Sequence, residues 1–153
     1  VAVLRTFSKM YGLAGLRLGY GVLPPWLADL LMRVKLPFSV GLLAEAGGLA
    51  ALKDRDFAHM TIKTVAEGRD FLTRELTDIG CRVLPSMANF LLFYLPKDAD
   101  ITADGVFEEL LKRGIILRPL TSYGLPDALR VTVGTALENR ELLRELKGVL
   151  GHG

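Results

Sequence analysis

The stretch Arg5-Thr-Phe-Ser-Lys-Met-Tyr-Gly-Leu-Ala-Gly-Leu-Arg-Leu-Gly-Tyr20 decides how this chain is read. It sets a hydroxyl, an amine and a guanidinium in one glycine-bearing loop between two apolar runs. Ser8 and Lys9 are adjacent, and Arg17 follows eight residues after Lys9. Gly12 and Gly15 permit a sharp chain path and a close approach of backbone to a ligand. Arg17 offers a planar fork suited to phosphate, and Ser8 offers a second donor. Lys9, between them, is a primary amine able to form a Schiff base. A phosphate-bearing aldehyde would find both an anchor and a covalent partner here. The same residues also fit a plainer reading, a loop with one exposed lysine and an arginine paired to a carboxylate. Spacing alone names no cofactor.

Working outward, residues 1–5 form a short apolar run, a candidate buried strand, and residues 16–23 form a second. Pro24-Pro25 opens a helix whose Trp26, Leu27, Leu30, Leu31 and Val34 share one face, and Pro37 ends it. Ser39 is the expected N-cap of a helix reaching about Lys53. Asp54 or Asp56 starts a long helix running to Ile79, with Val65, Leu72, Leu76 and Ile79 in one stripe and Gly80 as its stop. Residues 82–84 and 89–95 read as strands. Thr102 caps a helix containing Val106, Phe107, Leu110 and Leu111, which Gly114 ends. Residues 115–118 read as a strand and 120–127 as a loop. Residues 128–133 alternate, with Leu129, Val131 and Val133 facing one way and Arg130 and Thr132 the other. Thr135 with Glu138 matches a capping box for a last helix striped by Leu142, Leu146 and Val149.

The order is strand, strand, three helices, two strands, helix, two strands, helix. The second half therefore predicts a compact α+β domain with helices on a small sheet. The first 35 residues or so look like the end of another sheet. The chain opens without Met and directly in a strand, which reads as a piece of something longer.

Composition sets wide bounds. The chain has 153 residues, 50% hydrophobic and 24% charged, enough to bury a real core. The net charge of +2, from 19 basic and 17 acidic residues, leaves no footprint for nucleic acid or an anionic membrane. The one cysteine, Cys81, allows no internal disulfide and suits a reducing cytoplasm. Pro37, Glu45 and Gly47-Gly48 break the most apolar region, so no run approaches the roughly 20 apolar residues of a membrane span. There is no signal-peptide pattern and no His/Cys/Asp cluster that indicates a metal.

The run from Thr6 to Tyr20 closely resembles the cofactor-lysine segment of the fold-type I aminotransferases that depend on pyridoxal phosphate (PLP). The second half sharpens the match. Arg113-Gly-Ile-Ile-Leu-Arg118-Pro, Tyr123-Gly-Leu-Pro and Leu129-Arg130-Val-Thr-Val-Gly-Thr resemble the histidinol-phosphate aminotransferases, as does Pro85-Ser-Met-Ala-Asn89-Phe. The resemblance runs over essentially the whole chain, in order.

It implies an α/β fold: the C-terminal portion of a fold-type I transferase, with the end of the large-domain sheet in residues 1–54 and a small α+β domain in 55–153. It implies that Lys9 carries PLP covalently and then shuttles a proton at the substrate Cα. Ser8 and Arg17 bind the cofactor phosphate. Arg130 grips a substrate carboxylate, and Arg118 a second anionic group, a phosphate or a side-chain carboxylate. The implied reaction converts histidinol phosphate and 2-oxoglutarate to imidazole acetol phosphate and glutamate, in histidine biosynthesis, in a cytoplasmic homodimer.

The family's glycine-rich phosphate turn, ring-stacking aromatic and pyridine-facing Asp precede the lysine, and only eight residues do so here. The isolated piece is therefore expected to bind PLP poorly and not to turn over. The same motifs would suit an aromatic-amino-acid aminotransferase, a phosphothreonine decarboxylase, or a non-catalytic aminotransferase-like sensor domain. Asn89 fits a structural hydrogen bond or a substrate contact, and Tyr20 and Tyr123 fit buried or rim positions or a ligand contact; His59 and His152 are read as solvated, and Cys81 as a small core residue.

Overall fold

The computed structural model describes residues 1–151. His152 lies outside them. Two compact units make up the chain, Val1–Ile62 and Lys63–Gly153, and the division falls inside one long helix.

In the first unit, β1 (Val3–Thr6) and β2 (Gly19–Val22) pair antiparallel, with Thr6 opposite Gly19 and Val3 opposite Val22. The second strand is shorter than residues 16–23 predict. Ala14–Leu16 instead form a 3-10 turn, and Arg17 follows with φ 52, ψ 46, a left-handed backbone that takes it out of the strand. Gly19 is required opposite β1, because a Cβ there would lie 2.7 Å from the carbonyl oxygen of Arg5.

Helix α1 (Pro25–Val34) starts with Pro at N1, where the missing N–H costs nothing. Helix α2 (Leu42–Lys53) begins later than expected. Its N-cap is Gly41, not Ser39, and no side chain caps it. Phe38 turns the chain with φ 54 just before, so the segment carrying Ser39 is not aligned with the helix entry. The Gly47-Gly48 pair interrupts the apolar run for a packing reason. A Cβ at Gly47 would meet Leu16 at 2.9 Å, and one at Gly48 would meet Leu18 at 2.3 Å.

Helix α3 (Arg55–Asp78) is started by Asp54, whose carboxylate accepts from the Phe57 N–H at 2.9 Å. Its Leu72 and Leu76 are fully buried. Gly80, at φ +84, ends it as expected, with the Cys81 N–H returning to the Leu76 carbonyl at 3.0 Å.

The second unit is a four-stranded antiparallel sheet in the order β3-β4-β6-β5, comprising β3 (Arg82–Val83), β4 (Phe90–Tyr94), β5 (Arg118–Leu120) and β6 (Leu125–Thr132). The alternation read in residues 128–133 holds. Leu129, Val131 and Val133 are buried, Arg130 is half-buried and Thr132 exposed. Helices α4 (Ala103–Lys112) and α5 (Ala136–Val149) complete a core in which Leu72, Leu76, Phe93, Val106, Leu110, Leu129 and Leu146 are fully buried. Burying each such side chain favours folding by roughly 1.5–3 kcal/mol.

Two boundaries differ from the sequence reading. Residues 115–117 make no ladder, so β5 is only Arg118–Leu120. The register shifts between Pro119 and Leu120, and Leu120 then pairs with Leu125. Strand β6 therefore starts inside the stretch read as a loop.

The caps follow the sequence. Thr102 accepts from the Gly105 N–H at 3.1 Å. Thr135 and Glu138 form the full capping box, and the Thr135 backbone N–H holds the Glu138 carboxyl below its usual range. Cys81 is buried, which pushes its thiol up to about 11. Among the described residues no helix is long and apolar enough to cross a membrane.

Candidate active site

The first unit gathers Ser8, Lys9 and Arg17 in one loop. Phe7 builds it. Its ring is 3% exposed and sits against Tyr11 and Tyr20, with centroids 5.0 and 5.9 Å away. Its backbone closes the loop twice: its N–H donates to the Leu18 carbonyl at 3.1 Å, and its carbonyl accepts from the Leu13 N–H at 3.0 Å. A tighter turn lies within, where the Gly12 N–H reaches the Lys9 carbonyl at 2.9 Å and Gly12 takes φ +68.

Buried Phe7 thus anchors a strand end, and the next two residues are held outward on a short, fixed arc. Ser8 is further tied by its N–H to the Thr6 hydroxyl at 3.0 Å. Arg17 folds back over the loop. Its Nη1 donates to the Ala14 carbonyl at 2.8 Å and lies 3.5 Å from the Ser8 hydroxyl oxygen. A left-handed arginine costs about 1–2 kcal/mol of backbone strain. Such strain is typically retained where a side chain must be aimed. Here it brings the guanidinium to Ser8.

Among the described residues no carboxylate lies within ion-pair distance of Lys9 or Arg17. The plainer reading, an arginine paired to a carboxylate, is therefore not what the loop forms. It presents a hydroxyl, a guanidinium and a primary amine, all accessible, with the charge uncompensated. That donor set fits a phosphate dianion at Ser8 and Arg17 and a carbonyl carbon at the Lys9 amine.

The second unit brings Arg118 and Arg130 together. They are directly opposite in the β5–β6 register, so both side chains leave the sheet on the same face, away from Leu129 and Val131. Each guanidinium lies over an aromatic ring, Arg130 over Phe90 at 5.2 Å and Arg118 over Tyr123 at 5.5 Å. Arg118 Nη2 also donates to the Tyr123 hydroxyl at 3.0 Å. Neither arginine has a carboxylate partner among the described residues.

Sequence reasoning leaves two participants aside. Tyr123 reads as a rim residue, although its place five residues after Arg118, before a turn-forming glycine, is a signal for a contact. Asn139 is not singled out by any motif. It is 2% exposed and its amide binds both backbone groups of Gly134, accepting from the N–H at 2.9 Å and donating to the carbonyl at 3.1 Å. Gly134 is the turn by which the strand bearing Arg130 enters α5. His59 is exposed and Asn89 only half-buried.

Comparison with known proteins places these loops in a family context. The family model for aminotransferase class I and II matches residues 1–146. A histidinol-phosphate aminotransferase of Nitratidesulfovibrio vulgaris is 58% identical over 152 residues, covering 99% of this chain and 40% of that protein. The crystal structure of the histidinol-phosphate aminotransferase of Clostridium acetobutylicum superposes with a TM-score of 0.90 at 27% identity, over 99% of this chain and 46% of that one. The enzyme of the same name from Sinorhizobium meliloti, solved with pyridoxal-5'-phosphate, gives 0.88 at 31% identity, over 99% and 41%. The chain spans about 40% of the length of the curated relatives it matches.

Proposed function

The chain belongs to the aminotransferase class I and II family, and from that premise we propose that it is the part of a PLP-dependent transaminase that carries the cofactor lysine and the substrate-anion arginines. The observation that carries the reading is the Phe7-pinned loop, where an uncompensated Lys9 stands beside a Ser8 hydroxyl lying 3.5 Å from Arg17. Ser8 and Arg17 hold the cofactor phosphate through charge-assisted hydrogen bonds. Lys9 supplies the amine for the cofactor's aldehyde carbon and, once released, takes and returns a proton at the substrate Cα. When bound, PLP supplies an electron sink for the carbanion formed at that carbon. Arg130 orients the substrate by a bidentate pair with its carboxylate, and Arg118 takes its second anionic group.

The substrates that best suit two adjacent, uncompensated arginines are those with two anionic ends or a phosphate. With the likeness to histidinol-phosphate aminotransferases, this favours amino transfer from histidinol phosphate to 2-oxoglutarate. Histidinol phosphate has no carboxylate, so the same arginine pair serves its phosphate and the carboxylates of glutamate in turn. We read residues 1–54 as the end of the large domain and 55–153 as the small one, with the remaining cofactor contacts supplied by the rest of the parent protein. The exposed Phe38, Leu42 and Leu43 of the first unit are then covered in the assembled homodimer.

The test is borohydride trapping of PLP on the full-length parent protein, followed by peptide mapping. A phosphopyridoxyl adduct on Lys9 that disappears when glutamate is added first is the expected result. A folded protein with Lys9 unmodified would sink the reading.

A further inference from the structure

We propose that Tyr123 is a specificity-determining residue of the arginine face, using its hydroxyl proton to bind the third terminal oxygen of a substrate phosphate. This rests on the reading of Arg118 and Arg130 as the substrate-anion site.

A phenol oxygen has two lone pairs and one proton. The Arg118 Nη2 donates to that oxygen at 3.0 Å, which occupies a lone pair and leaves the O–H to be given away. Among the described residues nothing accepts it. The ring is 62% exposed, so the hydroxyl is open to a ligand.

The loop that carries Tyr123 is fixed. Thr121–Tyr123 form a 3-10 turn closed by Gly124 at φ +75, and the Thr121 hydroxyl donates to the Asp104 carboxylate at the start of α4, 3.2 Å away. A fixed hydroxyl therefore stands next to a guanidinium whose strand partner is a second guanidinium.

The number of donors decides what this face prefers. A carboxylate has two oxygens, which the arginine forks can satisfy. A phosphate monoester offers three terminal oxygens in a tetrahedral array, so a third donor of different direction adds to phosphate affinity and adds little for a carboxylate. Polarisation by Arg118 strengthens the O–H as a donor. Tyr123 thus biases the site toward the phosphate ester without weakening the carboxylate half of an amino exchange.

The experiment titrates the PLP-loaded parent protein calorimetrically with inorganic phosphate and, separately, with glutarate. Wild type is compared with Tyr123→Phe, which removes only the oxygen, and with Arg118→Gln. Tyr123→Phe should raise the phosphate Kd by about tenfold and the glutarate Kd by less than about twofold. Arg118→Gln should weaken both. An unchanged phosphate Kd in Tyr123→Phe overturns the proposal. Equal weakening of both anions also overturns it, since Tyr123 would then act only by holding Arg118. Borohydride trapping at Lys9 is run on the same samples. Failure to trap in wild type counts against the transaminase reading, while the two Kd values still decide the role of Tyr123.

Discussion

Asn139 offers the sharpest test of how the arginine strand is held. Its side chain is 2% exposed and makes a reciprocal pair with the Gly134 peptide, at 2.9 and 3.1 Å. Gly68 of α3 completes the fit, since a Cβ there would lie 2.9 Å from the Asn139 amide nitrogen and 2.6 Å from Val133. Asn139→Ala removes two hydrogen bonds worth about 1 kcal/mol each, and leaves a peptide partly desolvated and unpaired. The expected loss is about 2–3 kcal/mol, or roughly 1–1.5 M in the urea midpoint at an m-value of about 2 kcal/mol/M.

Asn139→Asp separates geometry from charge. A protonated carboxyl can accept from the Gly134 N–H and donate to its carbonyl, as the amide does. The ionised form keeps the first bond and sets negative charge against the carbonyl in a buried site. Loss of the second bond and burial of charge against the carbonyl raise the folded-state pKa of the introduced carboxyl above its unfolded value of about 3.9, against a smaller opposite pull from the Gly134 N–H. For a raised folded pKa, the favourable contribution is whole below the unfolded value and is lost as pH rises through the folded one. The acidic variant should therefore approach wild type near pH 4 and fall well below it at pH 7, each compared with wild type at the same pH. The alanine variant should show a constant deficit. Urea unfolding followed by circular dichroism measures both. An alanine cost under about 0.5 kcal/mol, or a deficit in the acidic variant that is independent of pH, would refute the account of Asn139 as a two-sided clamp.

Three further outcomes follow from single contacts. Gly19→Ala drives a Cβ to 2.7 Å from the backbone oxygen of Arg5, which cannot swing away, so β1 and β2 must separate; a loss of about 1–3 kcal/mol should appear in thermal unfolding, together with weaker PLP retention by the parent protein. Glu138 is held below its usual carboxyl range first by the Thr135 N–H, so its contribution is present above the unfolded pKa and lost as pH falls through the depressed one; Glu138→Gln keeps an acceptor oxygen that acid cannot protonate, and its melting temperature should fall less steeply below pH 4 than that of wild type. On the proposed function, Arg130→Lys exchanges a planar fork for a point charge, and should raise the KM for glutamate by roughly 10–100-fold in the full-length protein, with thermal stability within about 0.5 kcal/mol.

The element order, the helix caps and the buried face of β6 are legible in the sequence because each rests on local chemistry. Thr102, Thr135 and Glu138 cap where their spacing predicts, and Gly80 stops α3 through its positive φ. Where sequence and structure part, backbone turns and strand pairing decide. Ser39 has the right chemistry for a cap, but the chain turns at Phe38 and α2 starts behind Gly41. Residues 115–117 have strand composition but find no ladder partner, and the register shift at Leu120 hands pairing to Leu125 instead. At the site, residue types point to Ser8, Lys9 and Arg17. No pattern announces that Arg17 takes a left-handed backbone, or that buried Phe7 anchors the loop alongside the Gly12 turn.

Some helix cations have acidic partners, Arg113 with Glu145 at 2.9 Å, Lys147 with Glu75 at 3.0 Å, and Arg144 with Glu141 and Glu145, while Arg33, Arg55, Arg69, Arg74 and Arg140 have none among the described residues, so a missing partner alone singles out no arginine. What sets Arg118 and Arg130 apart is that they face each other in direct register across two strands, also without an acidic partner among the described residues. Like charges in direct cross-strand register cost rather than contribute, by about 0.2–1 kcal/mol. Aromatic rings beneath each guanidinium offset part of that without neutralising it. On the proposed reading, an anion seated between the two forks turns that repulsion into binding energy, so the cross-strand register of Arg118 and Arg130 supports the substrate-anion role without reference to the lysine loop.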